Sequence, residues 1–111
     1  MSDCLFCKIA NGDGAKIFEN EDLVIIKDIA PQAKLHYLVI PKQHFDDITE
    51  IAQKNPELLS RIFAVIAEKQ EELGLSGGFR LISNKGNVGC QSVKHLHIHL
   101  LGGEKLSEKM G

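Results

Sequence analysis

His95-Leu96-His97-Ile98-His99 (HLHIH) is the stretch that decides how this chain is read. Three of its five histidines alternate with apolar residues there. Successive side chains of a β-strand point to opposite faces. Extended backbone would therefore project His95, His97 and His99 together and send Leu96, Ile98 and Leu100 into a core. A solvated polar face is the bland alternative, but it gives no reason for imidazole at every second position. Imidazole titrates near neutrality, ligates metals and attacks phosphorus. Two chemistries compete for the row: a catalytic metal shared by strand histidines two apart, and a nucleophilic central ring held and charged by its neighbours. The loop just before it, GNVGCQS (86–92), offers backbone amides and ends in a hydroxyl. Loops of that kind cradle phosphate with successive N–H groups, which favours attack on phosphorus.

Outward from the row, the chain reads as an α+β domain with a mainly antiparallel five-stranded sheet. Residues 3–14 suggest a short helix capped by Asp3 and ended by glycine, with Leu5, Phe6 and Ile9 on one face. Residues 15–28 read as two strands around a turn at Asn20-Glu21-Asp22, and Leu23 to Ile26 is a buried apolar run. Residues 35–42 make a third strand stopped by Pro41. Residues 55–74 make the long helix: Asn55 caps it, Pro56 opens it, Gly74 follows it, and Leu58, Leu59, Ile62, Phe63, Val65, Ile66 and Leu73 recur at helical spacing. Residues 77–84 and 93–101 are the last two strands. The helix is expected to cover one sheet face, leaving the other face or an edge to a partner.

Composition narrows the partners. The 111 residues suit one domain (1–111, with a core of 4–103 and a tail of 104–111). Apolar residues are 43% and the formal net charge is −2, with no Lys/Arg run. A nucleic-acid polymer is therefore not expected, although a single nucleotide needs only a few donors. No apolar run is long enough to span a membrane, and the start does not read as a signal peptide. A cytoplasmic setting with reduced thiols is expected, and an odd cysteine count fits it.

The segments LFCKI, KDIAPQAKLHYLVIPKQH, GLSGGFRLISNKG and QSVKHLHIHLLGG, in that order, resemble the histidine triad superfamily, in its branch of nucleotide-binding purine nucleoside phosphoramidases. The likeness runs from about Leu5 to Gly103. It implies that His97 attacks the α-phosphorus of a purine nucleoside 5′-phosphoramidate, that a nucleotidyl-histidine forms, and that water releases AMP or GMP. It assigns His99 to the phosphate oxygens, Ser92 to the leaving group and phosphate, and the amides around Ser92 and Val93 to developing charge. Asn84, Cys90 and Gln91 map to the phosphate side. Asp28 maps to the ribose, with Ile29 beside it. Phe6, Ile9 and the Leu23–Ile26 strand map to the base, and His36 lies behind the site. The likeness also implies a homodimer that joins two sheets, and no organic cofactor. Two departures stand out: Cys90 replaces a usual glycine, and the tail lacks the family's tryptophan and paired prolines. Rival functions are dinucleoside polyphosphate hydrolysis, zinc-dependent hydrolysis by the histidine row, and a non-catalytic nucleotide-binding adaptor.

Cys4 and Cys7 have a spacing suited to one tetrahedral metal. Two small apolar residues or a redox pair would look the same. His44 and His95 are candidates for the remaining ligands. A subset of the resembled family binds zinc through such a set, which implies a structural Cys₂His₂ site here.

Overall fold

The computed structural model describes residues 4–12 and 14–110. Along the chain run α1 (Leu5–Asn11), β1 (Phe18–Glu19), β2 (Leu23–Lys27), β3 (Leu35–Pro41), α2 (Ile48–Lys54), α3 (Pro56–Lys69), β4 (Phe79–Ile82) and β5 (Ile98–Gly102). One five-stranded sheet has the order β1-β2-β3-β5-β4, and every pairing is antiparallel. The expected α+β class and sheet are therefore present.

Register divides the sheet into two unlike faces. Val39 pairs with Ile98 and Tyr37 with Leu100. These residues join Leu23, Ile25 and Leu96 in a core covered by Ile51 of α2 and by Leu58, Ile62 and Ile66 of α3. The three α3 residues are four apart, so they share one stripe. Truncating the fully buried Ile62 to alanine would cost about 2–5 kcal/mol. On the other face, Val24, Leu38 and Ile40 pack against Phe6 and Ala10 of the much shorter α1. Leu38 pairs with His99 and His36 with Leu101, so the imidazoles belong to this thinly covered face.

Local chemistry explains the boundaries. The Asn20 side chain accepts from the N–H groups of Asp22 and Leu23 and closes the β1–β2 turn. The Asn55 side chain accepts from Leu58 N–H, and Pro56 occupies the first turn of α3. The helix proper ends at Lys69, short of the expected Leu73. The chain continues in turns to Gly74, whose φ of +78° is a left-handed conformation that glycine adopts without a Cβ clash.

Three expectations need correction. Asp3 lies outside the described residues, and the N-cap of α1 is Cys4, whose Sγ accepts from Cys7 N–H at 3.3 Å. A third helix, α2, was not expected. Its signal is nonetheless in the sequence, since Asp47 and Glu50 have the spacing of a capping box, here with the return bond one residue earlier. The Asp47 carboxylate accepts from Thr49 and Glu50 N–H, and the Glu50 carboxylate accepts from Asp46 N–H. Finally, β5 begins at Ile98, not Val93. His95 and His97 precede the ladder because the backbone there bonds to loops: Leu96 N–H to Phe45 O, and Ser83 Oγ–H to His97 O.

Candidate functional site

Alternation survives outside the strand. Leu96, Ile98 and Leu100 are buried in the main core, while the three imidazoles share the opposite side. His95 is fully buried and His97 is 5% exposed, so a solvated face is ruled out. Phe6 sets its ring edge-on to His97, with centroids 4.8 Å apart, a favourable aromatic geometry.

Bond partners fix the His97 tautomer. Its Nδ1 lies 2.8 Å from the His95 carbonyl oxygen. A carbonyl only accepts, so Nδ1 carries the hydrogen and Nε2 keeps a free lone pair. His97 lines a cavity of about 280 Å³. Of the residues assigned to nucleotide binding by sequence, Phe6, Ile9, Asp28, Ile29, Ser92, Val93, His97 and His99 meet in that cavity. Leu5, Lys27 and Leu38 complete it and were not assigned there; of the Leu23–Ile26 strand assigned to the base, only Ile26 lines it, because Leu23 and Ile25 point into the main core. Its α1 side is apolar, whereas Ser92, His97, His99 and Asp28 are polar. Among the described residues, no hydrogen bond uses the N–H of Ser92 or of Val93.

A second chain of deductions starts at Gln32. Its backbone N–H donates to His36 Nδ1 at 3.0 Å, so that nitrogen carries no proton and the ring's hydrogen sits on Nε2. His36 Nε2 is 2.9 Å from His99 Nδ1 and 3.3 Å from an Asp28 carboxylate oxygen. His99 Nδ1 therefore accepts, and the hydrogen of His99 lies on Nε2, available as a donor. Burial, and then the neighbouring His97 and His36, hold His99 below the ordinary imidazole pKa, while Asp28 pulls the other way. The other Asp28 oxygen accepts from Ala30 N–H, which fixes the carboxylate.

The remaining imidazoles meet the two cysteines. Cys4, Cys7, His44 and His95 each offer one ligand atom, and these atoms lie within 4.8 Å of one another, close enough to hold a metal ion. His95 Nδ1 is 3.2 Å from Cys4 Sγ and 3.3 Å from Cys7 Sγ, and His44 Nδ1 is 3.2 Å from Cys7 Sγ. A tetrahedral ion with bonds of about 2.0–2.3 Å separates its ligands by roughly 3.3–3.8 Å, so the cage is near that size. Orientation agrees. His95 Nε2–H donates to Pro41 O at 2.9 Å and His44 Nε2–H to Asp46 at 3.0 Å, which turns both Nδ1 atoms toward the sulfurs. Burial acts to raise the Cys4 thiol, but bonds from the Cys7 N–H and thiol and from His44 outweigh it, so Cys4 titrates below its ordinary value. Burial and the Cys4 sulfur push Cys7 upward. The pair thus favours one thiolate, and a cation would displace the proton it shares.

Asp28, His36 and His99 also lie close enough to hold an ion. The Gln32 N–H argues against it. With Nδ1 accepting, His36 Nε2 would have to lose its only hydrogen to ligate a metal.

Asn84, Cys90 and Gln91 do not line the cavity. Gln91 is spent on the loop: Oε1 accepts from Gly86 N–H, and Nε2 donates to Asp46 O and Val93 O. Cys90 is exposed with φ of +60°, a left-handed conformation that favours glycine over any residue with a Cβ.

Residues 3–111 match the family described as "Scavenger mRNA decapping enzyme C-term binding". The chain is 40% identical over 104 residues to Protein HitA of Neisseria gonorrhoeae, covering 92% of this chain and 97% of that one. It is similar to the solved HIT family hydrolase from Legionella pneumophila Philadelphia 1, at 38% identity and a TM-score of 0.89, covering 98% of this chain and 100% of that one. It is also similar to the histidine triad nucleotide-binding protein from Candida albicans, at 29% identity and a TM-score of 0.78, covering 98% and 87%.

Proposed function

This chain belongs to the histidine triad superfamily, and from that premise we propose that it is a hydrolase of purine nucleoside 5′-phosphoramidates. One observation carries the reading: His97, whose Nδ1 is bonded to the His95 carbonyl so that the neutral ring keeps its lone pair on Nε2, lines a cavity that also gathers Ser92, Val93 and His99. A lone pair facing phosphate donors is what nucleophilic attack on phosphorus requires.

In the mechanism, the base lies on the apolar side against Phe6, Ile9 and Ile29, and Asp28 accepts from the ribose hydroxyls. His97 Nε2 attacks the α-phosphorus as the P–N bond breaks. The amine leaves with a proton that solvent water supplies, directly or through the Ser92 hydroxyl. The amides of Ser92 and Val93 and the Nε2–H of His99 bind the phosphoryl oxygens as charge builds on them. The Nδ1–H bond to His95 O stabilises the charged ring of the intermediate. Water then attacks phosphorus and returns one proton to solvent, the N–P bond breaks with its electron pair going to Nε2, and the nucleoside monophosphate leaves with His97 neutral again. His36 keeps His99 in its donor tautomer and touches no substrate.

Cys4, Cys7, His44 and His95 would hold zinc as a closed structural site, which supplies folding energy and no catalytic water. The reduced cysteines fit a cytoplasmic setting. No helix among the described residues is long and apolar enough to cross a membrane. The proposed homodimer would join sheets at β4. That strand is an edge, and Leu81 on it and Phe63 on α3 are 40% and 44% exposed.

Incubation with adenosine 5′-phosphoramidate should release AMP, and His97→Ala should lower turnover by about a thousandfold or more. Rapid quenching should trap AMP on His97. Parental turnover in the variant, or AMP attached to another residue, would defeat the reading.

A further inference from the structure

We propose that metal binding and nucleotide binding are positively linked in this protein, with α1 as the main carrier. The filled Cys4/Cys7/His44/His95 centre would hold the cavity in its binding form, and an occupied cavity would retain the metal. This rests on the zinc and nucleotide readings above and adds a regulation that neither contains.

The coupling has a structural route. α1 has seven residues, too few for a helix to be stable alone. Only Phe6 and Ala10 of it are buried. Yet α1 bears Cys7, follows the ligand Cys4 at its cap, and supplies Leu5, Phe6 and Ile9 to the cavity wall. Phe6 stands between two ligands in sequence and lies against the His97 ring. Without the metal, two buried side chains, the half-buried Ile9 and one exposed bond from Asn11 Nδ2 to Lys42 O anchor this wall, so displaced forms gain population and a nucleotide must first reverse them.

Two lesser routes run in parallel. His95 is a ligand whose carbonyl sets the His97 tautomer. His44 bonds to Asp46, whose carbonyl accepts from Gln91 Nε2 at 2.6 Å, and Gln91 shapes the loop before Ser92.

Linkage is reciprocal, so both directions should show the same factor. Calorimetric titration with AMP should give an affinity about tenfold weaker for chelator-stripped protein than for zinc-loaded protein. Competition of the loaded protein against a chromophoric chelator should show zinc held about tenfold more tightly in saturating AMP. This second arm needs no stripped protein, so it stands even if stripping unfolds the chain. Phe6→Leu should keep its zinc but show a factor much closer to one. If both ligands bind and neither affects the other, the linkage fails while both underlying readings stand. A full-sized factor in Phe6→Leu overturns α1 as the carrier. Failure to bind zinc at all, or failure of the loaded protein to bind AMP, overturns the linkage together with the metal or the nucleotide reading respectively.

Discussion

Two clusters sit on the thinly covered face of this sheet, and each offers donor atoms close enough for an ion. They differ in where their hydrogens point. In Cys4/Cys7/His44/His95, Pro41 O and Asp46 draw the ring hydrogens outward, and both Nδ1 atoms face the sulfurs. In Asp28/His36/His99, the Gln32 N–H takes His36 Nδ1, and the remaining hydrogen points inward at His99 and Asp28. The first arrangement turns its lone pairs inward, as a cation would require, and the second turns its hydrogens inward. Ligand type and distance do not separate them. The group behind each imidazole does: a backbone carbonyl for His95, a carboxylate for His44 and a backbone N–H for His36.

That contrast can be broken by counting metal. One zinc per chain is expected, and His36→Ala should leave the count unchanged. Cys7→Ser should lose the ion and lower Tm by at least about 10 °C, as the loss of a structural metal does in a small domain. A second equivalent that vanishes in His36→Ala would erase the distinction.

Asp46→Ala sharpens it. Removing the acceptor behind His44 should weaken zinc about 10–100-fold in chelator competition. An unchanged affinity would mean that the outward hydrogen does not orient the ligand.

In the second cluster, His36→Ala should reduce turnover by about tenfold through loss of positioning, with AMP binding less affected. It should also move the His99 titration upward, because His36 and the burial it provides both hold that value down. The sign for stability follows. The native His99 takes up its proton at lower pH than the unfolded chain does. Its contribution is therefore intact above the ordinary value of about 6.5 and is lost as pH falls from there through the lower native value. Proton NMR of the ring checks the direction, and a midpoint above the ordinary value in the parent would contradict it.

The smallest effect lies in the loop that Gln91 fastens to the metal side. Cys90→Gly should stabilise the protein by about 1 kcal/mol, since φ of +60° disfavours any Cβ. Thermal melting measures it, and metal content should not move.

Much of this was legible in residue order. The apolar periods of residues 23–26 and 58–66, the Asn55-Pro56 helix start and the Asn20 turn are local signals, and local chemistry honours them. Alternation from His95 to Leu100 correctly separated core from site even where no strand ladder exists, because extended backbone alternates with or without a partner. The short α2 was missed although Asp47 and Glu50 announce it. The loop residues Asn84, Cys90 and Gln91 were assigned to the ligand by likeness, but they stand off the cavity, and Gln91 bonds to Asp46, 45 positions away.

Sequence by itself therefore determined most of the elements, though not α2 or the start of β5, together with the two faces and which imidazoles would gather, since spacing and side-chain type act over a few residues. Only the tertiary structure decided what each imidazole can do. A ring nitrogen is donor or acceptor according to the group placed against it: Pro41 O, 54 positions away, for His95, and for His36, His44 and His97 the Gln32 N–H, the Asp46 carboxylate and the His95 carbonyl, which local backbone geometry seats against each ring. The folded backbone around each ring, together with one long-range contact at His95, assigns the lone pairs.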